Sequence, residues 1–451
     1  QEELEWFKRQ IFGKRSEKII PHNENQLEFD GFGNLQKEEK EDKKTVTSYT
    51  RRKQKKDGAD KITLPNNLPI KEEILDLSEK EKVCPETGTP LKKIGEEITY
   101  KLAYKPGNYF LKKFIRFKYA FPNMPDKGIV EAAPPESLLG RCLADESLLA
   151  DIMVKKYADH LPLYRQSEIR ARENIKISRQ TLSMWIIKAG LALKPLYTLM
   201  KNKILESGNI FVDETPVKLL DPGRGKTKES YVWVLVGGKV KDPPYRIYQF
   251  FENRNHCNAK DLLKNFKGTF HSDKYGAYEK LANQKQYTWC PCMVHCRRKF
   301  FDVQNGDLEF KDRFLKKIQK LYEYEETAWQ ESPENRLQIR KEKEEPIINE
   351  MIKMAKTKLN YSVILPKSNL MKAIKYFCGL IPYLKNYLRK PFARLDNNIA
   401  ERAIRPLAIG RKNYLFFGSF KGGEASGIIY SLVQTCRNLD INPHDYLEDV
   451  I

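Results

Sequence analysis

The sequence predicts an α/β fold built on a mixed sheet, and three observations between residues 208 and 306 carry that expectation. Strand-sized apolar runs recur at 209–213, 230–238, 245–252, 268–273 and 287–290. Helix-like segments at 259–266 and 275–283 separate the last three of these runs. Two of the strands end in a carboxylate, Asp213 and Asp273. Three strands, a helix, a strand, a helix and a strand is the order of a ribonuclease-H-like core. Its mixed sheet sets both carboxylates at the ends of neighbouring strands.

The remaining chain divides by composition. Residues 1–80 read as a basic, flexible N-terminal arm, because the block 37–61 has too few apolar residues to offset chain entropy. Leu4, Phe7, Ile11 and Phe12 have helical spacing at its start. Residues 81–130 read as a small β-rich module, with Ile98, Tyr100 and Leu102 alternating and Phe114, Phe117 and Tyr119 less strictly so.

Residues 131–207 read as helical, with helices at 147–160 and 163–173. A third is N-capped by Ser178 and buries Leu182, Trp185 and Ile186. With Arg179, Gln180 and Ser183 near its start, this fits a DNA-binding helix-turn-helix and equally an ordinary three-helix bundle. Gly190 is the expected stop. A fourth helix, with Pro195 in its first turn, leads to Glu206. Residues 307–360 form an expected helical insertion, rich in Glu and Lys from 310 to 358 and offering mostly a solvated face. Residues 361–451 complete the core, with a helix at 397–404.

At 451 residues the chain is too long for one ordinary core. Lys plus Arg number 81 against 60 Asp plus Glu, a net charge of +21 that favours a polyanionic partner such as nucleic acid. The 8 cysteines are scattered, unlike a disulfide framework, so a reducing, cytoplasmic setting is expected. No run reaches the roughly 18 apolar residues of a membrane span. No signal peptide is visible, and an opening Gln1 leaves the true N-terminus open.

Phosphoryl transfer on DNA uses two divalent cations roughly 4 Å apart, held largely by carboxylates. Asp213, Asp273 and Glu401 are the candidates. Taken singly, each has an ordinary reading: a turn residue for the aspartates, an ion pair with Arg402 or Arg405 for Glu401.

The surrounding blocks narrow the choice. Val212-Asp213-Glu214-Thr215-Pro216, His271-Ser272-Asp273-Lys274-Tyr275-Gly276-Ala277-Tyr278 and Asp396-Asn397-Asn398-Ile399-Ala400-Glu401-Arg402-Ala403-Ile404-Arg405-Pro406 occur in that order. They closely resemble the three catalytic blocks of the large transposase of the bacterial insertion-sequence family numbered sixty-six. The resemblance continues through residues 155–166, 177–182 and 409–419, and through Ile11-Phe12-Gly13-Lys14-Arg15-Ser16-Glu17-Lys18.

The resemblance implies an Asp-Asp-Glu transposase that cleaves element ends and joins the freed 3′-hydroxyl to target DNA. Asp213, Asp273 and Glu401 would hold two Mg2+ or Mn2+ ions. Arg402, Arg405, Arg411 and Lys412 would meet DNA phosphates or serve as plain surface charges. Double-stranded DNA, a homo-oligomer that synapses two ends, and small accessory proteins of the same element are the implied partners, with no membrane.

The pattern breaks at the second module. The family carries a four-cysteine zinc unit there, whereas this chain has Cys84 followed by Thr87, Phe121 and Met124 at the other ligand positions, so no zinc is expected. Cys290, Cys292, His295 and Cys296 are dense enough to hold metal but read better as small hydrophobes at a strand-to-helix junction, with His295 within reach of the active site. Two alternatives stay open: a nuclease that cuts without joining, and a non-enzymatic DNA-binding derivative of a transposase.

Overall fold

The structure, a computed structural model, describes residues 142–451 apart from positions 222, 224, 240–242, 285–286 and 362–364, with 107, 109–110, 118–120, 129–131 and 138–139 before them. The expectations for the basic arm, its opening helix and the zinc-type positions Cys84, Thr87, Phe121 and Met124 lie outside the described residues. Two short strands, β1 (Lys118–Ala120) and β2 (Ile129–Glu131), pair antiparallel with Tyr119 opposite Val130.

Four helices follow: α1 (Glu146–Tyr157), α2 (Leu163–Arg172), α3 (Arg179–Ala192) and α4 (Lys194–Glu206). Ser178 caps α3, its hydroxyl accepting from the Thr181 amide at 3.1 Å, and the anticipated face of Leu182, Trp185 and Ile186 is buried. Buried Arg170 ties α2 to α1 by donating to Asp151 at 2.7 Å. Gly190 does not end α3, which continues to Ala192. A Cβ there would lie 2.9 Å from Ile429 Cδ1 and 3.0 Å from Ala425 Cβ, so the glycine admits a close helix crossing instead. Its neighbour is α13 (Phe420–Asn438), assigned below to the C-terminal layer.

The sheet has five strands: β3 (Asn209–Asp221), β4 (Lys226–Gly237), β5 (Tyr245–Phe251), β6 (Gly268–Ser272) and β7 (Tyr287–Pro291). Their spatial order is β5-β4-β3-β6-β7. The first three pair antiparallel, and β6 and β7 add in parallel. Helices α5 (His256–Leu262) and α6 (Gly276–Ala282) make the crossovers. This is the expected α/β class with its mixed sheet.

One strand end differs. β3 runs past Asp213 to Asp221, because Thr215, Val217 and Leu219 are buried on alternate positions while Pro216 and Lys218 face solvent. Past its last pairing with β6, its free side is met by Phe417, which donates to Lys218 O and accepts from Leu220 N, each at 2.8 Å.

After α7 (Met293–Phe301) come α8 (Leu308–Gln330), α9 (Pro333–Ile339), a π-helical turn over Arg340–Glu344, and α10 (Glu345–Tyr361). The C-terminal layer is α11 (Asn369–Leu380), α12 (Asn398–Tyr414), α13 and α14 (Pro443–Val450). No described helix is long and apolar enough to cross a membrane.

The stretch expected to show mostly a solvated face has a charged interior as well. Phe310, Phe314, Ile318 and Leu321 line the buried side of α8, and Glu325, Arg336, Arg340 and Glu344 are buried with them. Arg340 spends all five N–H groups, two on the Glu325 carboxylate (2.5 and 2.8 Å) and three on the carbonyls of Tyr387, Lys390 and Ala393 (2.8 to 3.0 Å). Glu344 accepts from the Tyr387 hydroxyl at 2.7 Å. Burial first, and the Glu325 charge second, push the Glu344 carboxyl up to about 8.

We expect Arg340→Ala to cost about 3–5 kcal/mol in urea unfolding, since the buried Glu325 carboxylate loses its cation and three carbonyls lose their donor. A cost near zero would show that the network does not hold the insertion. Glu344 has a folded pKa above its usual 4.5, so its contribution is complete at low pH and fades as pH rises through about 8. Glu344→Gln should therefore flatten the fall in unfolding midpoint between about pH 5 and 8.

Candidate active site

The parallel register places the two aspartates. Phe211 pairs with His271, and their rings stack 4.3 Å apart. Two residues further along each chain, on the same side, stand Asp213 and Asp273. The third acid arrives on α12, with Glu401 in its first turn.

A non-helical segment before α12 sets that position. The Arg394 amide donates to His271 Nε2 at 2.9 Å, and His271 Nδ1 bonds Ile210 O at 3.0 Å, which requires the neutral Nδ1–H tautomer. Burial accordingly holds the His271 pKa down, to about 3. The Met293 amide donates to Leu395 O at 3.0 Å. Asn397 is fully buried; its Nδ2 donates to Val212 O at 2.9 Å and its backbone N–H to Cys292 Sγ at 3.3 Å. Asn397 thus positions the Glu401 helix by tethering it to β3. Asn398 bonds back to Asp396 at 3.0 Å through both its amide and its side chain.

The acids feel one another. Burial, then the charges of Glu214 and Asp273, with Glu401 adding a smaller push, hold the Asp213 carboxyl well above the usual carboxylate range. Asp273 is raised by burial and by Glu401, with Arg254 opposing. Oδ1 of Asp273 is shielded from solvent and, among the described residues, has no hydrogen-bond partner. The three acids singled out in the sequence are thus neighbours.

A fourth carboxylate, Glu214, escaped sequence reasoning. Successive strand residues face opposite sides, which gave no reason to group it with Asp213. Its side chain is 1% exposed, ion-paired with Arg254 and hydrogen-bonded by the Tyr278 hydroxyl at 2.6 Å. Arg254 in turn lies over the Tyr275 ring, 4.0 Å from its centroid. Of the cysteine cluster, Cys290, Cys292 and Cys296 are all buried, as small hydrophobes would be. Glu401 turns toward His295 (Oε1 to Nδ1 3.7 Å) rather than Arg405.

The residues expected to meet DNA divide by exposure. Arg179 and Gln180 are exposed and Ser183 half-buried on α3, and Arg402, Arg405 and Lys412 are exposed on α12. Arg411 is engaged within the protein, donating to Thr215 Oγ1 at 2.6 Å and to Pro216 O, which ties α12 to β3 just beyond Asp213.

The mixed sheet thus carries a group of acids at one end, beside the helix that bears Arg402, Arg405 and Lys412. Residues 141–425 match the family described as Transposase IS66 family, and residues 1–72 match one described as Transposase C of IS166 homeodomain. The chain belongs to the IS66 transposase family. Among its relatives are two uncharacterized proteins of Sinorhizobium fredii. One, y4jD, is 30% identical over 464 residues, covering 100% of this chain and 89% of the relative. The other, y4qI, is 32% identical over 373 residues, covering 79% of this chain and 68% of the relative.

Because burial, and after it the charges of three acidic groups, raise its carboxyl, Asp213 is a source of strain when no cation is bound. We expect Asp213→Asn to stabilise the metal-free protein by about 1 kcal/mol, seen as a higher unfolding midpoint. An unchanged or lower midpoint would mean that the cluster is not under electrostatic strain.

Proposed function

We propose that this chain is a DNA transposase that cleaves the ends of its insertion element and joins the 3′-hydroxyl to target DNA, on a ribonuclease-H-like core. The observation that carries the reading is the convergence of Asp213, Asp273 and Glu401 from β3, the end of β6 and α12.

The residues fit a hard divalent cation. Their carboxylates repel one another, and Asp273 Oδ1 is buried without a hydrogen-bond donor. Asp-Asp-Glu transposases generally use divalent metal ions. Two Mg2+ or Mn2+ ions held there would supply a lowered pKa for the attacking hydroxyl and charge neutralisation for the leaving oxygen. Asp213 and Asp273 would be shared ligands and Glu401 the third.

The protein's own groups do the positioning. Exposed Arg402, Arg405 and Lys412 extend from the Glu401 helix and can take DNA phosphates. Arg179, Gln180 and Ser183 sit at the N-terminal end of α3, where a recognition helix would meet base edges. Arg411 acts differently from its neighbours, as a brace between α12 and β3. Bringing two element ends together calls for a homo-oligomer, with accessory proteins of the element as further partners and the bacterial cytoplasm as the setting.

A strand-transfer assay with pre-cut ends and Mg2+ or Mn2+ tests this. Joined product should form, and Asp213→Asn, Asp273→Asn and Glu401→Gln should each lower it by at least about a hundredfold while DNA binding in a gel shift persists. Hydrolysis without joining would make the chain a nuclease. Joining that survives Asp213→Asn would sink the metal-ligand assignment.

A further inference from the structure

We propose that Cys292, His295 and Glu401 form a binding site for a borderline-soft divalent cation of the zinc and cobalt kind, which shares Glu401 with the hard-cation site of the two aspartates and differs from it in its sulfur and imidazole donors. The three residues offer one sulfur, one imidazole nitrogen and one carboxylate oxygen, all within 4.8 Å of one another. Glu401 Oε1 lies 3.7 Å from His295 Nδ1 and 4.0 Å from Cys292 Sγ. Bond lengths to zinc of about 2.0–2.3 Å give tetrahedral ligand-to-ligand edges of about 3.3–3.6 Å. Side-chain shifts of up to about 1 Å would close the cradle around an ion.

Ordinary packing does not account for this geometry. His295 Nδ1 is shielded from solvent and has no hydrogen-bond partner among the described residues. Its distance to Glu401 is too long for a hydrogen bond and suits two donors sharing a cation. Cys292 and His295 stand three residues apart across the first turn of α7, so both can face the same way. A single short segment can rarely surround an ion, which is why the cysteine cluster read as structural in the sequence. The third donor comes instead from α12, held there by Asn397, whose N–H rests on Cys292 Sγ. Cys290 and Cys296 take no part and are buried as small hydrophobes.

On binding, Cys292 gives its thiol proton to solvent and bonds through the thiolate. His295 uses the Nδ1 lone pair and keeps its proton on Nε2, and Glu401 gives one oxygen. The fourth position is open to water, as in zinc sites with three protein ligands.

The site shares Glu401 with the transposase reading, and its test is made on the full chain without DNA so that the two can fail separately. Co2+ is titrated into the protein under reducing conditions with Mg2+ in excess. A thiolate-to-cobalt charge-transfer band in the near ultraviolet, with visible bands of tetrahedral Co2+, is the expected result. Cys292→Ser should abolish the charge-transfer band, and His295→Gln should weaken Co2+ binding by about tenfold or more, with circular dichroism unchanged in both. Asp213→Asn should keep the band. A missing band in the parent protein, or one that persists in Cys292→Ser, overturns the site; loss of the band in Asp213→Asn overturns its separateness.

Discussion

The acidic end of the sheet depends on one buried amide. Asn397 donates to the carbonyl of Val212, the residue before Asp213, while its own N–H is accepted by the sulfur of Cys292. One residue therefore joins the first strand of the site, the start of the helix after the last strand and the helix that carries Glu401. An amide buried this deeply costs about 1–3 kcal/mol when a partner is lost, so the alternatives in which α12 slides are penalised. His271 repeats the device one level down, using both ring nitrogens to join Ile210 of β3 to the Arg394 amide. The location of Glu401 thus follows from hydrogen bonds made by its chain neighbours more than from contacts of its own.

The helical stretch inserted between α7 and α11 belongs to the same construction. Arg340 grips the carbonyls of Tyr387, Lys390 and Ala393, the run that leads into Arg394 and Asn397. Arg336 adds a bond to Pro391 O at 2.7 Å, and both Arg336 and Arg394 lie 4.0 Å from the centroid of the Trp329 ring. A buried cation with five satisfied donors contributes little net stability over a well-packed apolar group, but it tolerates few other arrangements of its partners. Here those partners are the backbone that delivers Glu401. The insertion thereby becomes a support for the acidic cluster.

Much of the fold was legible in the residues. Strand-sized apolar runs gave the five strands, and the Ser178 cap with Leu182, Trp185 and Ile186 gave α3 with its buried face. The blocks around residues 213, 273 and 401 named three acids whose charges act on one another in the structure. The misreadings have local causes. Asp213 looked like a strand end because the apolar run stops at a carboxylate, whereas the alternation of Thr215, Val217 and Leu219 carries β3 onward. Gly190 looked like a helix stop because glycine usually is one, and the crossing with Ile429 was invisible from α3 alone. Glu and Lys in the insertion looked solvated because most such residues are.

The sequence by itself determined which segments are helix or strand, which face of each is apolar, and which acids stand in the family's blocks. Those properties are periodic or local, and a chain displays them without knowing its partners. Only the tertiary structure decided that Glu214 is covered by Arg254 and Tyr278, that Arg411 braces β3, and that Cys292 and His295 meet Glu401. Such choices join residues far apart in the chain. They follow from the cost of taking polar groups out of water without partners, and that cost has no periodic trace in the residues that meet it.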